Sequence, residues 1–329
     1  MEPLTLDQLD RQLVHALQVD GRASFSRIAA ALGTSDRTVA RRYRRLRSVG
    51  ALRVVALPDS RRIGEVDWLA RIRCAPDTVI PVAALLARRE DISWVGLTSG
   101  GSEVTCVTRT RGKPDGDGLL LQRLPRSPRI TSITAYCLLR PVAGTAGWPG
   151  RTRALSERQI RHLAPPPSPE PGRRAVRLTE PEERLFSVLA KDGRADYRVL
   201  AEAAGWSETT TRRRLEDLRR TGILYFDVDI DPLLLGYTVE AVLWLTVAPA
   251  QLAVVARALS THEEVAFAAA TTGSVNLVAF VVCPDSDALY DYLATRIGKL
   301  RGVLQVETAL VTRHAKRAGA LLDTFARDR

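Results

Sequence analysis

Part of this chain is written twice. Asp20-Gly21-Arg22-Ala23 recurs 172 residues later as Asp192-Gly193-Arg194-Ala195, and the offset then holds without a gap. Ala29, Gly33 and Ser35 meet Ala201, Gly205 and Ser207, and Arg41-Arg42 meet Arg213-Arg214. Leu46-Arg47, Gly50 and Leu52 meet Leu218-Arg219, Gly222 and Leu224. So many identities in one register mark a duplication of a unit of roughly 160 residues, and every supersecondary element of that unit must occur twice. Each copy is long enough to bury its own cores.

The first part of each copy reads as three helices. Leu4-Thr5-Leu6-Asp7-Gln8 and Leu178-Thr179-Glu180-Pro181-Glu182 place a Thr three residues before Gln or Glu. That spacing predicts a capping-box start at Thr5 and Thr179. Leu6, Leu9, Leu13 and Leu17 follow at helical spacing in one copy, and Leu185, Val188 and Leu189 in the other. Asp-Gly-Arg ends that helix. Ser24 and Asp196 are placed to cap a second helix, Gly33 and Gly205 to end it in the left-handed region, and Ser35 and Ser207 to cap a third. A helix, a short Gly-containing turn and a Ser-capped helix make the helix-turn-helix plan.

The third helix should bury Val39, Tyr43 and Leu46 in copy one, and Thr211, Leu215 and Leu218 in copy two. Its remaining face in copy one carries Arg37, Thr38, Arg41, Arg44 and Arg45. Such a face suits the DNA major groove, with N-terminal residues at base edges and later arginines on phosphates. The DNA-contact candidates are Ser35, Arg37, Thr38, Arg41, Arg42 and Arg45, with Ser207, Thr209, Thr210, Arg213 and Arg214 in copy two.

The net charge of +11 is concentrated, and concentration is what points to a polyanionic partner. Residues 1–56 hold 10 basic and 5 acidic residues, and residues 140–177 hold 8 and 2. Residues 178–228, with 9 basic and 10 acidic, are nearly balanced because Glu208, Glu216 and Asp217 offset Arg212, Arg213 and Arg214. The two helix-turn-helices should therefore contribute unequally, and the preferred DNA site should not be a true palindrome. Residues 140–177 contain Pro165-Pro166-Pro167 and Pro169, a composition expected of a semi-rigid linker.

The second part of each copy alternates strands and helices. Copy two reads as strand Val239–Val247, helix Gln251–Leu259, strands Val265–Thr271 and Leu277–Val282, helix Ser286–Leu300 and strand Val303–Val311. Copy one repeats the order as strand Trp68–Cys74, helix Val79–Ala87, strands Ile92–Leu97 and Val104–Thr108, a short helix near Leu119–Leu124 and strand Ile130–Leu138. This βαββαβ order implies a ferredoxin-like sheet with both helices on one face. The opposite face would stay bare unless a second module covered it, and the duplication supplies one.

The expected architecture is thus α+β: two winged-type helix-turn-helix modules and two ferredoxin-like modules. The expected boundaries are helix-turn-helix 1–56, sheet module 57–139, linker 140–177, helix-turn-helix 178–228, sheet module 229–315 and a tail 316–329. No run of about 18 apolar residues exists to span a membrane. The N-terminus lacks the basic-then-apolar order of a secretory signal. Cys74, Cys106, Cys137 and Cys283 are far apart with no CxxC pair, which argues against a zinc site or disulfide framework. They read as reduced residues of a cytoplasmic protein, and neither metal nor cofactor is expected.

A helix-turn-helix with Asp-Gly-Arg between helices and Arg-Arg in the third, joined to βαββαβ, resembles the Lrp/AsnC (feast/famine) transcription regulators. The resemblance covers nearly the whole chain, twice. It implies double-stranded DNA as partner, assembly into homo-oligomers through the sheet modules, and sensing of a small amino-acid-like effector. It places the effector at the turn between the second and third strands of the sheet module. Here those turns hold Thr98, Ser99, Gly100 and Glu103 in copy one, and Thr271, Thr272, Gly273 and Asn276 in copy two. Only Glu103 offers an acid to an ammonium group. Fused two-copy proteins similar to this family also include siroheme decarboxylases, which leaves an enzyme as the alternative. That class needs histidines and arginines around a tetrapyrrole, and this chain has only His15, His162, His262 and His314. A non-enzymatic regulator is the expectation.

Overall fold

The computed structural model describes residues 4–111, 129–144, 152–165, 175–317 and 320–321. Copy one runs α1 (Gln8–Val19), α2 (Phe25–Leu32), α3 (Asp36–Ser48), β1 (Leu52–Pro58), β2 (Glu65–Cys74), α4 (Val79–Ala87), β3 (Ile92–Thr98), β4 (Glu103–Arg111) and β5 (Ile130–Ala143). A connecting helix α5 (Glu157–Leu163) leads to α6 (Glu180–Leu189), α7 (Tyr197–Ala204), α8 (Glu208–Arg220) and β6 (Leu224–Ile230). Then follow β7 (Val239–Val247), α9 (Leu252–Leu259), β8 (Val265–Thr271), β9 (Leu277–Cys283), α10 (Ser286–Asp291), β10 (Val303–Arg317) and the short β11 (Ala320–Leu321). These form two compact units, residues 1–63 with 146–236 and residues 64–145 with 237–329. Both helix-turn-helices share the first unit and both sheet modules the second. The helix expected near Leu119–Leu124 lies outside the described residues.

In the helical unit most caps fall where the sequence places them. Ser35 and Ser207 accept from the backbone N–H of Thr38 and Thr210, each at 3.1 Å, and Gly33 and Gly205 close their helices at φ of 66° and 71°. At the first helix the sequence reading is corrected. Asp7, not Thr5, is the N-cap of α1, accepting from the Asp10 N–H at 2.8 Å. A carboxylate in that place also meets the helix N-terminus with negative charge. Thr179 does begin α6, with Glu182 accepting from its N–H at 2.7 Å.

The strand after each third helix forms no hairpin of its own. β1 pairs antiparallel with β6, from Leu52 opposite Ile230 to Pro58 opposite Leu224. These are the same positions of the two copies, so each strand lies against its own repeat. β1 and β6 straddle the expected boundaries at 56 and 228 and belong with the helices.

The described residues 140–144 and 152–165 of the connector take more regular structure than its composition suggests. Its first residues, Arg140 to Ala143, extend β5, and α5 packs on the first helix-turn-helix with Leu163 wholly buried. Ser156 and Gln159 form a capping box, and the apolar Leu155 and Leu163 precede the prolines that would forbid a helix. The buried ring of His15 in α1 holds this segment, its Nδ1 facing the backbone N–H groups of Ala154 and Leu155, each at 3.2 Å.

In the sheet unit both modules have the same strand order, β3-β4-β2-β5 and β8-β9-β7-β10. The last strand of each outgrows its module. β5 leaves β2 after Cys137 and pairs with β8 from Leu138 to Ala143. β10 leaves β7 after Leu310 and pairs with β3 from Val311 to Lys316. Eight strands therefore close a ring and leave no open edge among themselves, which removes the usual hazard of unpaired strand edges. β10 runs to Arg317 and pairs with β11, across the expected boundary at 316.

Alternation sorts the side chains. Ala70 and Ile72 face α4, while Ala241, Leu243 and Leu245 face α9 and α10. Leu69, Tyr136, Leu138, Val242, Trp244, Ala269 and Val278 fill the opposite face, where the two modules meet. The helix predicted over Ser286–Leu300 is α-helical only to Asp291, and Tyr292–Ile297 is a π-helical stretch. No described helix is long and apolar enough to cross a membrane.

Burial holds the His15 imidazole below its ordinary value of 6.5, so folding favours the neutral ring. The unfolded chain then takes up a proton more readily, and stability must fall as pH drops below about 6.5. Thermal unfolding followed from about pH 7.5 to about pH 5 should show a falling midpoint. His15→Leu should lower the midpoint at the upper pH and flatten the slope.

Candidate nucleic-acid interface

The third helix of each copy owes its pose to a buried acid. Asp10 of α1 is 1% exposed and receives Arg42 of α3 at 2.9 Å and Arg45 at 2.5 Å. Asp7 receives Arg42 as well, at 2.6 Å. The equivalent acid in copy two, Glu182, is 2% exposed and receives Arg214 of α8 at 2.7 Å. Partial burial disfavours the Arg42 charge, but the carboxylates of Asp7 and Asp10 outweigh it and hold the guanidinium above its ordinary value. Burial likewise raises Glu182, and the Thr179 donors and Arg214 more than reverse it. Arg42 and Arg214, singled out as DNA-contact candidates, are thus engaged in fastening the third helix to the first. Arg45 is half-exposed and shares that task.

Among the other candidates, Ser35, Arg37, Arg41, Ser207, Thr209 and Arg213 are exposed, and Thr38 and Thr210 are partly so. Among the described residues, Arg37, Arg41 and Arg44 of α3 are engaged by no acid; Arg44 reaches only the Ala40 carbonyl, at 3.3 Å. On α8, Arg212 instead lies over the Tyr197 ring at 4.0 Å, and Arg214 and Arg220 are both paired with Asp217. Arg213 is left as the one α8 guanidinium with no acid or ring partner among the described residues.

The Asp-Gly-Arg repeat has a function that its reading as a helix terminator missed. Arg22 donates to the Gly193 and Ala195 carbonyls, both at 2.8 Å, and lies 4.5 Å from the Tyr197 ring. Arg194 donates to the Gly21 carbonyl at 2.7 Å and lies 4.6 Å from the ring of Phe25, the counterpart of Tyr197. Asp192 binds Arg47 and Asp20 binds Arg219, both at 2.7 Å. Each copy thus grips the other through the same residues, an approximate two-fold arrangement. Glycine is required by close approach: a Cβ at Gly21 would stand 2.7 Å from Phe226, and one at Gly193 would stand 2.8 Å from the Val55 backbone. Exact repetition of Asp-Gly-Arg was the available signal, since a mere turn does not need all three residues twice.

The turns named as effector candidates are occupied by the fold. Glu103 is 4% exposed and accepts from Arg71 at 2.7 and 3.1 Å, from Arg73 at 2.7 Å and from Ser99 at 3.1 Å. Burial raises its carboxyl, and these donors bring it below the ordinary carboxylate range. Arg71 also binds Glu307 and lies 5.3 Å from the Trp244 ring. Glu103 is therefore already paired with two guanidinium groups. Thr98 is bonded to Thr105, beside Gly100 at φ 68°. In copy two, Thr271 donates to the Val275 carbonyl and Thr272 accepts from the Cys137 N–H. Gly273 abuts Tyr136, and Asn276 makes two bonds to the Val247 backbone, an extra rung on β7.

The histidines are dispersed. His15 and His162 lie in the helical unit, His262 is bonded to Tyr292 at 3.0 Å, and His314 faces Glu240 at 3.2 Å. The four cysteines are free, and burial pushes the Cys106 thiol up to about 12. Among the described residues no cluster of His, Cys, Asp and Glu is fit to hold a metal.

Two helix-turn-helices gripping each other, together with a closed double ferredoxin-like sheet, define a duplicated helix-turn-helix protein. Residues 6–47 and 183–219 match the AsnC-type helix-turn-helix domain, and residues 240–321 match the Lrp/AsnC ligand binding domain. The HTH-type transcriptional regulator FL11 of Pyrococcus abyssi is 31% identical over 142 residues, which are 43% of this chain and 93% of that protein. The HTH-type transcriptional regulator LrpA of the same organism is 29% identical over 140 residues, 42% of this chain and 99% of that protein. The crystal structure of the siroheme decarboxylase NirDL has a TM-score of 0.62 at 15% identity, covering 94% of this chain and 93% of that one, a likeness of fold alone. The chain belongs to the Lrp/AsnC family of helix-turn-helix transcriptional regulators, in a tandem form with the helix-turn-helix present twice.

The two arginine roles separate by experiment. Arg42→Ala leaves the buried Asp10 with Arg45 as its one guanidinium and should cost about 2 kcal/mol of stability, whereas Arg41→Ala, on the solvent face, should stay within about 0.5 kcal/mol of the parent. Urea unfolding midpoints of the two variants measure both.

Proposed function

We propose that this protein is a sequence-specific, double-stranded-DNA-binding transcriptional regulator, working in the cytoplasm, in which one polypeptide takes the place of a dimer. The observation that carries this reading is the exposed guanidinium face of α3, with Arg37, Arg41 and Arg44 facing no acid among the described residues. Unpaired arginines on a capped third helix have the chemistry to contact base edges and phosphates. Two such helices related by an approximate two-fold suit successive major-groove segments about 34 Å apart.

Strand pairing and face-to-face packing, which the family resemblance assigns to contacts between chains, are met inside one chain. The sheet unit therefore serves first to hold the two copies as a fixed pair. An amino-acid-like effector remains part of the family expectation, but Glu103 and Asn276 are committed to internal partners. Such an effector would have to displace them. The enzymatic alternative draws on gathered histidines, and these are dispersed.

Gel-shift titration against a random duplex pool tests the reading. Binding should weaken steeply with salt, because arginine–phosphate contacts release counterions. Arg41→Ala should cost more affinity than Arg213→Ala, on the order of ten-fold against a few-fold, and should reduce the salt slope by about one. Failure to retain any duplex at low ionic strength would refute the proposal.

A further inference from the structure

We propose that Arg37 and its counterpart Thr209 make this regulator read a non-palindromic operator, with guanine specified in one half-site only. The inference rests on the DNA-binding reading above and assigns the class of sequence that is bound. The reciprocal grip of Arg22 and Arg194, and the pairing of β1 with the same positions of β6, present α3 and α8 as equivalent helices. Any inequality in readout must then arise from side chains.

The 172-residue offset aligns those side chains one for one. Arg37 is matched by Thr209, Arg41 by Arg213, Arg44 by Glu216 and Arg45 by Asp217. Arg37 and Thr209 sit second in their helices, directly after the residue that follows the Ser cap, and both are exposed. This N-terminal part of a recognition helix is what meets base edges. A free arginine there bonds to guanine O6 and N7 together, a contact that discriminates by about 1–3 kcal/mol, whereas threonine makes either polar contact or touches the thymine methyl.

Phosphate attraction diverges in the same direction. The α3 face offers Arg37, Arg41 and Arg44 free of acids, whereas on α8 Arg212 is stacked on Tyr197 and Glu216 stands exposed where α3 has Arg44. One half-site is therefore bound strongly with guanine specified, and the other weakly with loose readout.

Selection of bound sequences from a random duplex pool gives the operator. Gel shifts then compare it with the two palindromes made by doubling either half. The wild-type chain should select unlike half-sites and bind the operator at least as tightly as either palindrome. Arg37→Ala should abolish guanine preference in one half alone. The double variant Thr209→Arg with Glu216→Arg, both exposed positions outside the packed core, should gain roughly ten-fold on the palindrome of the strong half. A true palindrome selected by the wild type, or a double variant with unchanged preference, overturns the inference and leaves the regulator reading standing. Absence of binding to every duplex overturns both.

Discussion

Everything in the helical unit depends on each copy lending its Asp-Gly-Arg turn to the other. Arg22 and Arg194 each give up water to donate to backbone carbonyls across the junction and to lie over an aromatic ring. Charge-assisted bonds of this kind are among the stronger ones available, and cation–π contacts add to them when partly desolvated. The glycines let the backbones approach closely enough for those bonds to form. With Asp20 and Asp192 holding Arg219 and Arg47, and β1 paired with β6, the junction joins the two domains into one pair with a defined relation between α3 and α8.

Arginine is the common currency of this protein, and surroundings decide what each one does. Where an acid lies buried beneath it, as Asp10 beneath Arg42, Glu182 beneath Arg214 or Glu103 beside Arg71, the guanidinium fastens two elements. Leaving such an acid unpaired is costly, so these pairs fix geometry even where their net contribution is modest. Where no acid is near, as at Arg37, Arg41 and Arg44, the charge stays available to a polyanion. Composition counts both kinds alike.

Much of the fold was legible. Helix caps at Ser24, Ser35 and Ser207, the left-handed Gly33 and Gly205, and the strands Val239–Val247 and Val265–Thr271 follow from rules that act over a few residues. Errors arose where a distant partner overrode a local signal. Asp7 displaced Thr5 as the cap while also serving Arg42, and the connector gained a helix because the first helix-turn-helix offered His15 and an apolar surface. The π-helical turn after Asp291 leaves no trace in a helical periodicity. At the effector turns the partners of Glu103 were not legible, because Arg71 and Arg73 lie about 30 residues away in sequence and meet it only across the β2–β4 ladder.

Taken alone, the amino-acid order determined the duplication, the type and approximate bounds of most elements, the Ser-capped third helices and the concentration of positive charge in the first copy. These are matters of repetition, periodicity and nearest neighbours, and a linear chain displays them directly. Tertiary structure decided which arginines are fasteners and which are free, that strands pair with their own repeats, and that eight strands close into a ring. Those outcomes depend on groups far apart in sequence sharing one buried space, where an unpaired charge or strand edge is costly and only the folded contacts show which partner relieves it.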